Sequence, residues 1–263
     1  MRRSVTTFDN IARIAAPGPD ELDRRYARTG LPVVLTGLFP EGAVARLAVP
    51  AVARAELGHL PLPAVVRSDG GGAAADPPAR TMSFAELHDR LAGGLQPRRA
   101  CVDHQTPPPL AAALPAPYLG LGMPQDPWLS HMSLVGPGDV TPRHYDRDLR
   151  NVVVAQVFGR QQVLLADGAD CRGPLPATAP AWGCVLAPGE SLFIPAAFWQ
   201  QVEAVDVSLS VTFRLRRNRF LERLAAWAPS PGVALLPLAA SFRDDEAVAP
   251  WAREAFAALT ASL

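Results

Sequence analysis

The chain has 263 residues, in which 25 arginine and lysine residues balance 25 aspartate and glutamate residues. Hydrophobic residues make up 49% of it, which is enough for one large β-rich domain to bury a core. Basic residues form no block, which argues against binding to nucleic acids or membrane surfaces through bulk charge. No apolar run approaches the roughly 18 residues of a transmembrane helix, so no membrane span is predicted.

The cysteines and the N-terminal residues indicate the cellular compartment of the protein. Cys101, Cys171 and Cys184 form no CxxC pair, which predicts neither a disulfide framework nor a zinc site. Met1 to Ser4 are followed by no apolar segment of the kind that a secretory signal requires, so a cytoplasmic protein is expected. All basic residues are arginine. This bias, with abundant alanine, glycine and proline, suggests a bacterial source, and it leaves no lysine to bind a carboxylate.

Residues 1–124 are predicted to form a largely helical flank. Its expected elements are a polar helix around Asp20 to Arg28, a buried strand at Leu31 to Leu38, a loop at residues 67–80, a helix beginning after Ser83, and an extended Pro-rich segment at Gln105 to Pro117. Ser83 and Glu86 form a capping box, and Gly93-Gly94 closes the helix that follows.

Residues 125–216 are predicted to form the β core, because short strands alternate there with glycine and proline. The expected strands include Val152 to Phe158, Gln162 to Leu165, Cys184 to Leu186, Ser191 to Ile194 and part of Val205 to Leu215. Such a pattern favours an antiparallel barrel or sandwich. Residues 217–263 are predicted to be a helical tail, with helices at Arg219 to Trp227 and from Asp244 or Asp245 onward. The whole chain is expected to be one domain.

A histidine and an aspartate within this core are candidate metal ligands. His144 and Asp146 are two residues apart, so on a strand both side chains point the same way and can reach one ion. The same spacing also occurs in pairs that serve only the structure. No histidine follows His144 in the chain, so a later strand cannot supply a second imidazole.

Motifs around this pair resemble those of the Jumonji-C (JmjC) and cupin-like oxygenases, including the asparaginyl hydroxylase group. They are Trp128-Leu129, Gly138-x-x-Thr141-Pro142, Gln156-x-x-Gly159, Pro188-Gly189-Glu190, Leu192 to Pro195, Trp199, and Ser208-x-Ser210-Val211-x-Phe213. The resemblance covers roughly residues 125 to 215. It implies a double-stranded β-helix, a jelly-roll barrel, with helical flanks at both termini.

The resemblance also implies an iron site with one departure. His144 and Asp146 match the first two iron ligands of the family, and Gln200 stands where the family has its second histidine. An amide oxygen can bind a hard metal ion, but it is a weaker ligand than imidazole. Gln200 can therefore be the third ligand, or Gln201 can replace it after a local shift. Alternatively, the site holds no metal.

Relatives that use 2-oxoglutarate bind its distal carboxylate with a threonine and a lysine. Thr141 matches the threonine, but Gln161 stands at the lysine position. Thr212 and Arg214 fall on the face of their strand that the resemblance turns inward, so Arg214 is a candidate replacement for the lysine. The alternative is that Arg214 lies in solvent beside the basic residues that follow it.

The resulting hypothesis is an Fe(II)-dependent oxygenase that uses 2-oxoglutarate and acts on a small metabolite or a peptide. Two alternatives remain: a metal-free pseudo-oxygenase that binds a ligand or partner, and a metal-dependent barrel enzyme that does not use 2-oxoglutarate. The resemblance also implies a homodimer formed through the C-terminal helices, where Trp251 lies on an amphipathic face.

Overall fold

The protein is mainly β, with several sheets and a smaller helical part. The computed structural model describes residues 9–27, 29–39, 41–64, 80–94, 99–114, 130–144, 151–166, 181–195 and 198–215. The predicted C-terminal helices, the loop at 67–79 and the candidate ligand Asp146 lie outside these ranges.

Five short helices precede the β core. They are α1 (Pro19–Leu22), α2 (Glu41–Leu47), α3 (Pro50–Leu57), α4 (Phe84–Ala92) and α5 (Pro108–Ala113). A π-helical turn at Asp23–Ala27 continues α1. The capping box at α4 is confirmed, since the Ser83 hydroxyl accepts a hydrogen bond from the Glu86 amide at 3.2 Å.

One predicted segment differs in the structure. The Pro-rich stretch from Gln105 to Pro117 was expected to be extended, but its centre forms α5. Pro108 and Pro109 begin this helix, where the missing backbone N–H groups would have no partner inside the helix in any case. The prolines therefore start a helix instead of preventing one.

The strands described in the structure follow in chain order. They are β1 (Asp9–Asn10), β2 (Arg13–Ala15), β3 (Val33–Thr36), β4 (Pro61–Ala64), β5 (Arg80–Ser83), β6 (Arg99–Gln105), β7 (Ser130–Val135), β8 (Val140–His144), β9 (Val152–Phe158), β10 (Gln161–Ala166), β11 (Ala181–Leu186), β12 (Ser191–Ile194), β13 (Trp199–Ala204) and β14 (Ser208–Arg214). The predicted bounds of β9 and β12 are confirmed.

Two sheets make up most of the fold. The five-stranded sheet has the order β1-β11-β10-β13-β8, and the seven-stranded sheet has the order β2-β3-β12-β9-β14-β7-β6. β4 and β5 form a separate hairpin. The flank expected to be helical thus contributes strands to both sheets, since β1 pairs with β11 and β3 pairs with β12.

Apolar side chains fill both faces of the seven-stranded sheet. One face packs on the helices through residues that include Leu22, Leu87, Val153, Val211 and Phe213. The other face meets the five-stranded sheet through a second cluster that includes Val152, Val163, Leu165, Leu186, Leu192 and Ile194. This second cluster lies between the two sheets and beside the polar pocket described below.

The connections between strands β7 to β14 lie at two opposite ends of the sheets. Four short connections join consecutive strands at what we call the turn end: Gly136–Asp139, Gly159–Arg160, Ala187–Glu190 and Val205–Val207. The longer connections, at residues 145–151 and 167–180, leave from the opposite end, which we call the loop end. Since β8 and β14 run toward the loop end, their last residues, His144 and Arg214, lie there.

Within the described ranges, no helix is both long and apolar enough to cross a lipid bilayer.

Candidate functional site

A polar pocket of about 160 Å³ lies between the two sheets. Six of the seven residues selected from the sequence line it: Thr141, His144, Gln161, Gln200, Thr212 and Arg214. One water needs about 10–15 Å³ of this kind of space, so the pocket has room for roughly ten waters. That size suits part of a small metabolite or a single side chain.

His144 and Gln200 face each other across two antiparallel strands at the loop end. They are direct partners in the register of β8 and β13. Cross-strand partners have Cβ atoms about 5 Å apart on the same face of a sheet, so both side chains project into the pocket. Gln200 is 8% exposed, which makes it a buried polar residue, and His144 is half-buried.

A local irregularity lets Thr141 share this face. Thr141 pairs with Val202 and His144 pairs with Gln200, so three steps along β8 match two steps along β13. The extra residue in β8 is a β-bulge, and it lies at Pro142-Arg143. Proline has no backbone N–H to donate to a neighbouring strand, so a bulge is a suitable position for it. The bulge therefore allows both Thr141 and His144 to line the pocket.

The opposite wall of the pocket comes from β14. Ser210, Thr212 and Arg214 line the pocket. Leu209, Val211 and Phe213 belong to the core on the helical side. This alternation confirms the face predicted for Thr212 and Arg214. Arg214 is half-buried against the pocket, and its neighbour in β9 is Val152.

Gln161 and Arg214 lie at opposite ends of the pocket. The Gln161 side-chain amide donates a hydrogen bond of 3.0 Å to the Ser208 hydroxyl, and both residues are buried at the turn end. Ser208 and Arg214 are six residues apart on β14, a separation of roughly 20 Å at about 3.3 Å per residue. β13 ends and β14 begins at the same turn, and Gln200 and Thr212 are equally far from it along their strands. The two residues therefore lie at the same height between the turn end and the loop end. Arg214 therefore lies toward the loop end, as the His144–Gln200 pair does, and far from Gln161.

Contacts between the turns close the turn end. The Arg160 guanidinium donates two hydrogen bonds to the Asp206 carboxylate, at 2.7 and 3.2 Å, joining the β9–β10 and β13–β14 turns. These bonds hold the pKa of the Asp206 carboxyl below its usual value. The backbone N–H of Gly138 donates to the carbonyl of Ala204. These contacts join three of the four turns at this end.

The sequence analysis missed three polar residues of the pocket wall: Ser133, Asp139 and Ser210. Ser210 was assigned to the correct face of β14 but given no role. Asp139 ends the β7–β8 turn, and its backbone carbonyl accepts a hydrogen bond from the Ala204 N–H. Alternation within β7 could have marked Ser133, which lies between the buried residues Met132 and Leu134. No pattern in the sequence marked Asp139.

The donor atoms present fit a metal ion in part. His144 offers an imidazole nitrogen and Gln200 an amide oxygen, both on one face at the loop end. Asp146 would follow His144 by two residues but lies outside the described ranges. Within those ranges, no three His, Cys, Asp or Glu side chains converge as a metal-binding group. Gln200 is the cross-strand partner of His144, which fits the ligand role considered for it.

The pocket wall at the turn end offers no described cation to the second carboxylate of 2-oxoglutarate. Gln161 is neutral, and one N–H of its side-chain amide is donated to Ser208. Among the described residues that line the pocket, the arginine is Arg214, which lies at the loop end. A carboxylate that binds an arginine in this pocket must therefore do so near His144.

No protein-family model matches the chain.

Proposed function

We propose that the protein is a metal-dependent oxygenase of the JmjC and cupin-like type, with iron(II) held by His144, Asp146 and Gln200. The observation that carries the proposal is the cross-strand pair of His144 and Gln200 facing a polar pocket. Two ligand positions that are 56 residues apart in the sequence meet on one face, as the resemblance requires. Bound iron would supply the activation of O₂ through its open coordination positions.

The strand order supports a double-stranded β-helix as the framework. Jelly rolls of this kind place eight strands in two facing sheets. Here β8, β10, β11 and β13 belong to the five-stranded sheet, while β7, β9, β12 and β14 belong to the seven-stranded sheet. The chain thus passes repeatedly from one sheet to the other.

The residues of the chain have separate tasks in this proposal. His144 and Gln200 orient the metal at the open end, and the closed turn end keeps bulk water away from it. Arg214 binds an anionic group beside the metal, because a half-buried guanidinium gains most from a bidentate carboxylate. The small volume of the pocket favours a small metabolite, or one side chain of a peptide, as the substrate.

Mn(II) titration of the purified protein tests the metal site, with binding followed by calorimetry and by the EPR signal of the free ion. Wild-type protein should bind one ion, and His144→Ala should lose it. Gln200→His should bind the ion about tenfold more tightly, since imidazole is the better ligand. Gln201→His is the matched control, because Gln201 points to the other face of β13 and should leave the affinity unchanged.

Two outcomes would contradict the metal assignment. If Gln201→His tightens binding and Gln200→His does not, Gln201 is the ligand. If wild-type protein binds neither Mn(II) nor anaerobic Fe(II), the metal-free pseudo-oxygenase replaces the proposal.

2-Oxoglutarate is the co-substrate that the resemblance implies, and Arg214 is its proposed anchor. Arg214→Gln should then raise the apparent 2-oxoglutarate constant by about a hundredfold, as expected for loss of a charge-assisted bidentate contact. Gln161→Ala should change it little. Equal small effects, together with no succinate formed from 2-oxoglutarate, would favour a metal enzyme that does not use this acid. The neutral Gln161 at the position where relatives have a lysine is the observation that favours this second candidate.

A further inference from the structure

A second histidine lies at the height of the candidate metal ligands. His131 is the cross-strand partner of Thr212 in the pairing of β7 with β14. Thr212 lines the pocket and lies at the same height as Gln200, which is the partner of His144. These four residues, His131, Thr212, Gln200 and His144, therefore occupy one level near the loop end, each on a different strand.

The side chain of His131 belongs to the face of β7 that is turned toward the facing sheet. Side chains on a strand alternate between its two faces, and the pairing of β7 with β14 is regular from residue 130 to residue 135. Ser133 lines the pocket, whereas Met132 and Leu134 belong to the core on the helical side. His131 has the parity of Ser133, so it projects between the two sheets. It is half-buried, so part of the residue is accessible to solvent.

The imidazoles of His131 and His144 are within reach of a single ion. β7 and β14 belong to the seven-stranded sheet, and β8 and β13 belong to the five-stranded sheet. Neighbouring strands are about 4.8 Å apart and facing sheets about 10 Å apart, so a point midway between the four residues lies roughly 5–6 Å from each Cα atom. A histidine bonded through a metal–nitrogen distance of about 2 Å covers that span. The other ring nitrogen can still make a hydrogen bond within the protein, as it usually does in metal-bound histidines.

A histidine at this level makes up for the amide at Gln200. No histidine follows His144 in the chain, but His131 precedes it, and the β7–β8 turn brings the two strands back to the same level. Imidazole is a better ligand for Fe(II) than an amide oxygen. A site that has lost the imidazole of its later strand therefore gains most from one on the facing sheet.

We infer that His131 is a further ligand of the metal ion and supplies its second imidazole from β7, a strand that precedes His144. With His144 and Asp146, the site then has two imidazoles and one carboxylate, a donor set that suits Fe(II). This inference rests on the proposed function, because it adds a ligand to the same metal site.

Counting the bound imidazoles tests the inference. The protein is loaded anaerobically with Co(II), and proton NMR records the hyperfine-shifted N–H signals, one for each bound imidazole and absent in D₂O. Wild-type protein should give two such signals, and His131→Gln should give one. The affinity for Co(II), measured by calorimetry, should fall at least about tenfold in this variant, since even the loss of an outer-sphere partner has that effect. His59→Gln is the matched control, because His59 is an exposed histidine outside the pocket wall and should change neither result.

Moving the imidazole provides the second arm. His131→Gln combined with Gln200→His has its second imidazole where relatives have it, so two signals and nearly the wild-type affinity should return. Gln200→His with His131 intact should give three signals. Two signals in that variant, or one in wild type, would overturn the inference. The Gln200→His count answers the question even if His131→Gln does not fold.

Failure of this inference differs from failure of the proposed function. Co(II) bound to wild-type protein through one imidazole, with unchanged affinity in His131→Gln, overturns the inference and leaves the proposed metal site standing. Wild-type protein that binds no Co(II) overturns the proposed function, and the inference with it.

Discussion

Replacing Gly159 with alanine tests how the turn end is built. Gly159 has a φ of +68°, in the left-handed region that L side chains rarely adopt. A Cβ atom there would collide with the carbonyl oxygen of Val207 and lie 2.8 Å from the Cα of Ser208. Both atoms belong to the backbone, so no flexible side chain can move aside.

The expected loss of stability has two parts. The left-handed conformation costs a residue with a Cβ about 1–2 kcal/mol. Overpacking against a fixed backbone adds about 1–3 kcal/mol. Gly159→Ala should therefore lower the free energy of unfolding by about 2–5 kcal/mol, a large share of the roughly 5–15 kcal/mol of a typical domain.

Gly189→Ala is the matched control for this experiment. Gly189 has a φ of +83° with no atom within 4 Å of the added Cβ, so it should show the conformational cost alone. Urea denaturation followed by tryptophan fluorescence measures both variants, with the slope m checked for constancy. Equal losses in the two variants would refute the close contact between the β9–β10 turn and Ser208.

Three other features lead to shorter tests. The Arg54 guanidinium lowers the pKa of Asp89 from 3.8 to about 2. The stabilisation of the folded protein by this ion pair is therefore present above pH 3.8 and lost as the pH falls through 2. The difference in urea midpoint between wild type and Asp89→Asn should shrink over that interval, and an undiminished difference at pH 2 would contradict the pairing. Burial raises the pKa of Cys184 from 9.0 to about 11. Iodoacetamide should therefore label this thiol about a hundredfold more slowly at pH 8 than an ordinary thiol. Fast labelling of Cys184 in peptide maps would contradict this expectation. Ser83→Ala should cost about 1 kcal/mol in urea denaturation by removing the cap of α4, and an unchanged midpoint would argue against the cap.

Strand alternation allowed the faces of several strands to be predicted from the sequence. Side chains on a strand alternate with a period of two, so the polar set Ser210, Thr212 and Arg214 had to share one face. The pocket wall confirms this prediction for all three residues. Turn residues were similarly informative, because glycine at Gly159 and Gly189 marks the ends of β9 and β11.

Other predictions failed because the sequence signal was local and the deciding interaction was not. The Pro-rich segment after Gln105 reads as extended chain, yet its prolines begin α5. The strand predicted at Leu31 to Leu38 is confirmed as β3, but β1 was not predicted, and both strands pair with strands more than 150 residues away. No local pattern encodes such a partner.

The sequence by itself determined which residues could be chemically active and which face of a strand each would occupy. Composition, alternation and turn residues are properties of neighbouring positions. His144 was selected from its spacing to Asp146, and Gln200, Gln161 and Arg214 were selected from the family resemblance. Only the tertiary structure decided how far each residue lies from the two ends of the pocket, because that position depends on the register between strands that are distant in the chain. That arrangement puts Arg214 and His144 at the same end of the pocket and separates Arg214 from Gln161 by roughly the length of a strand.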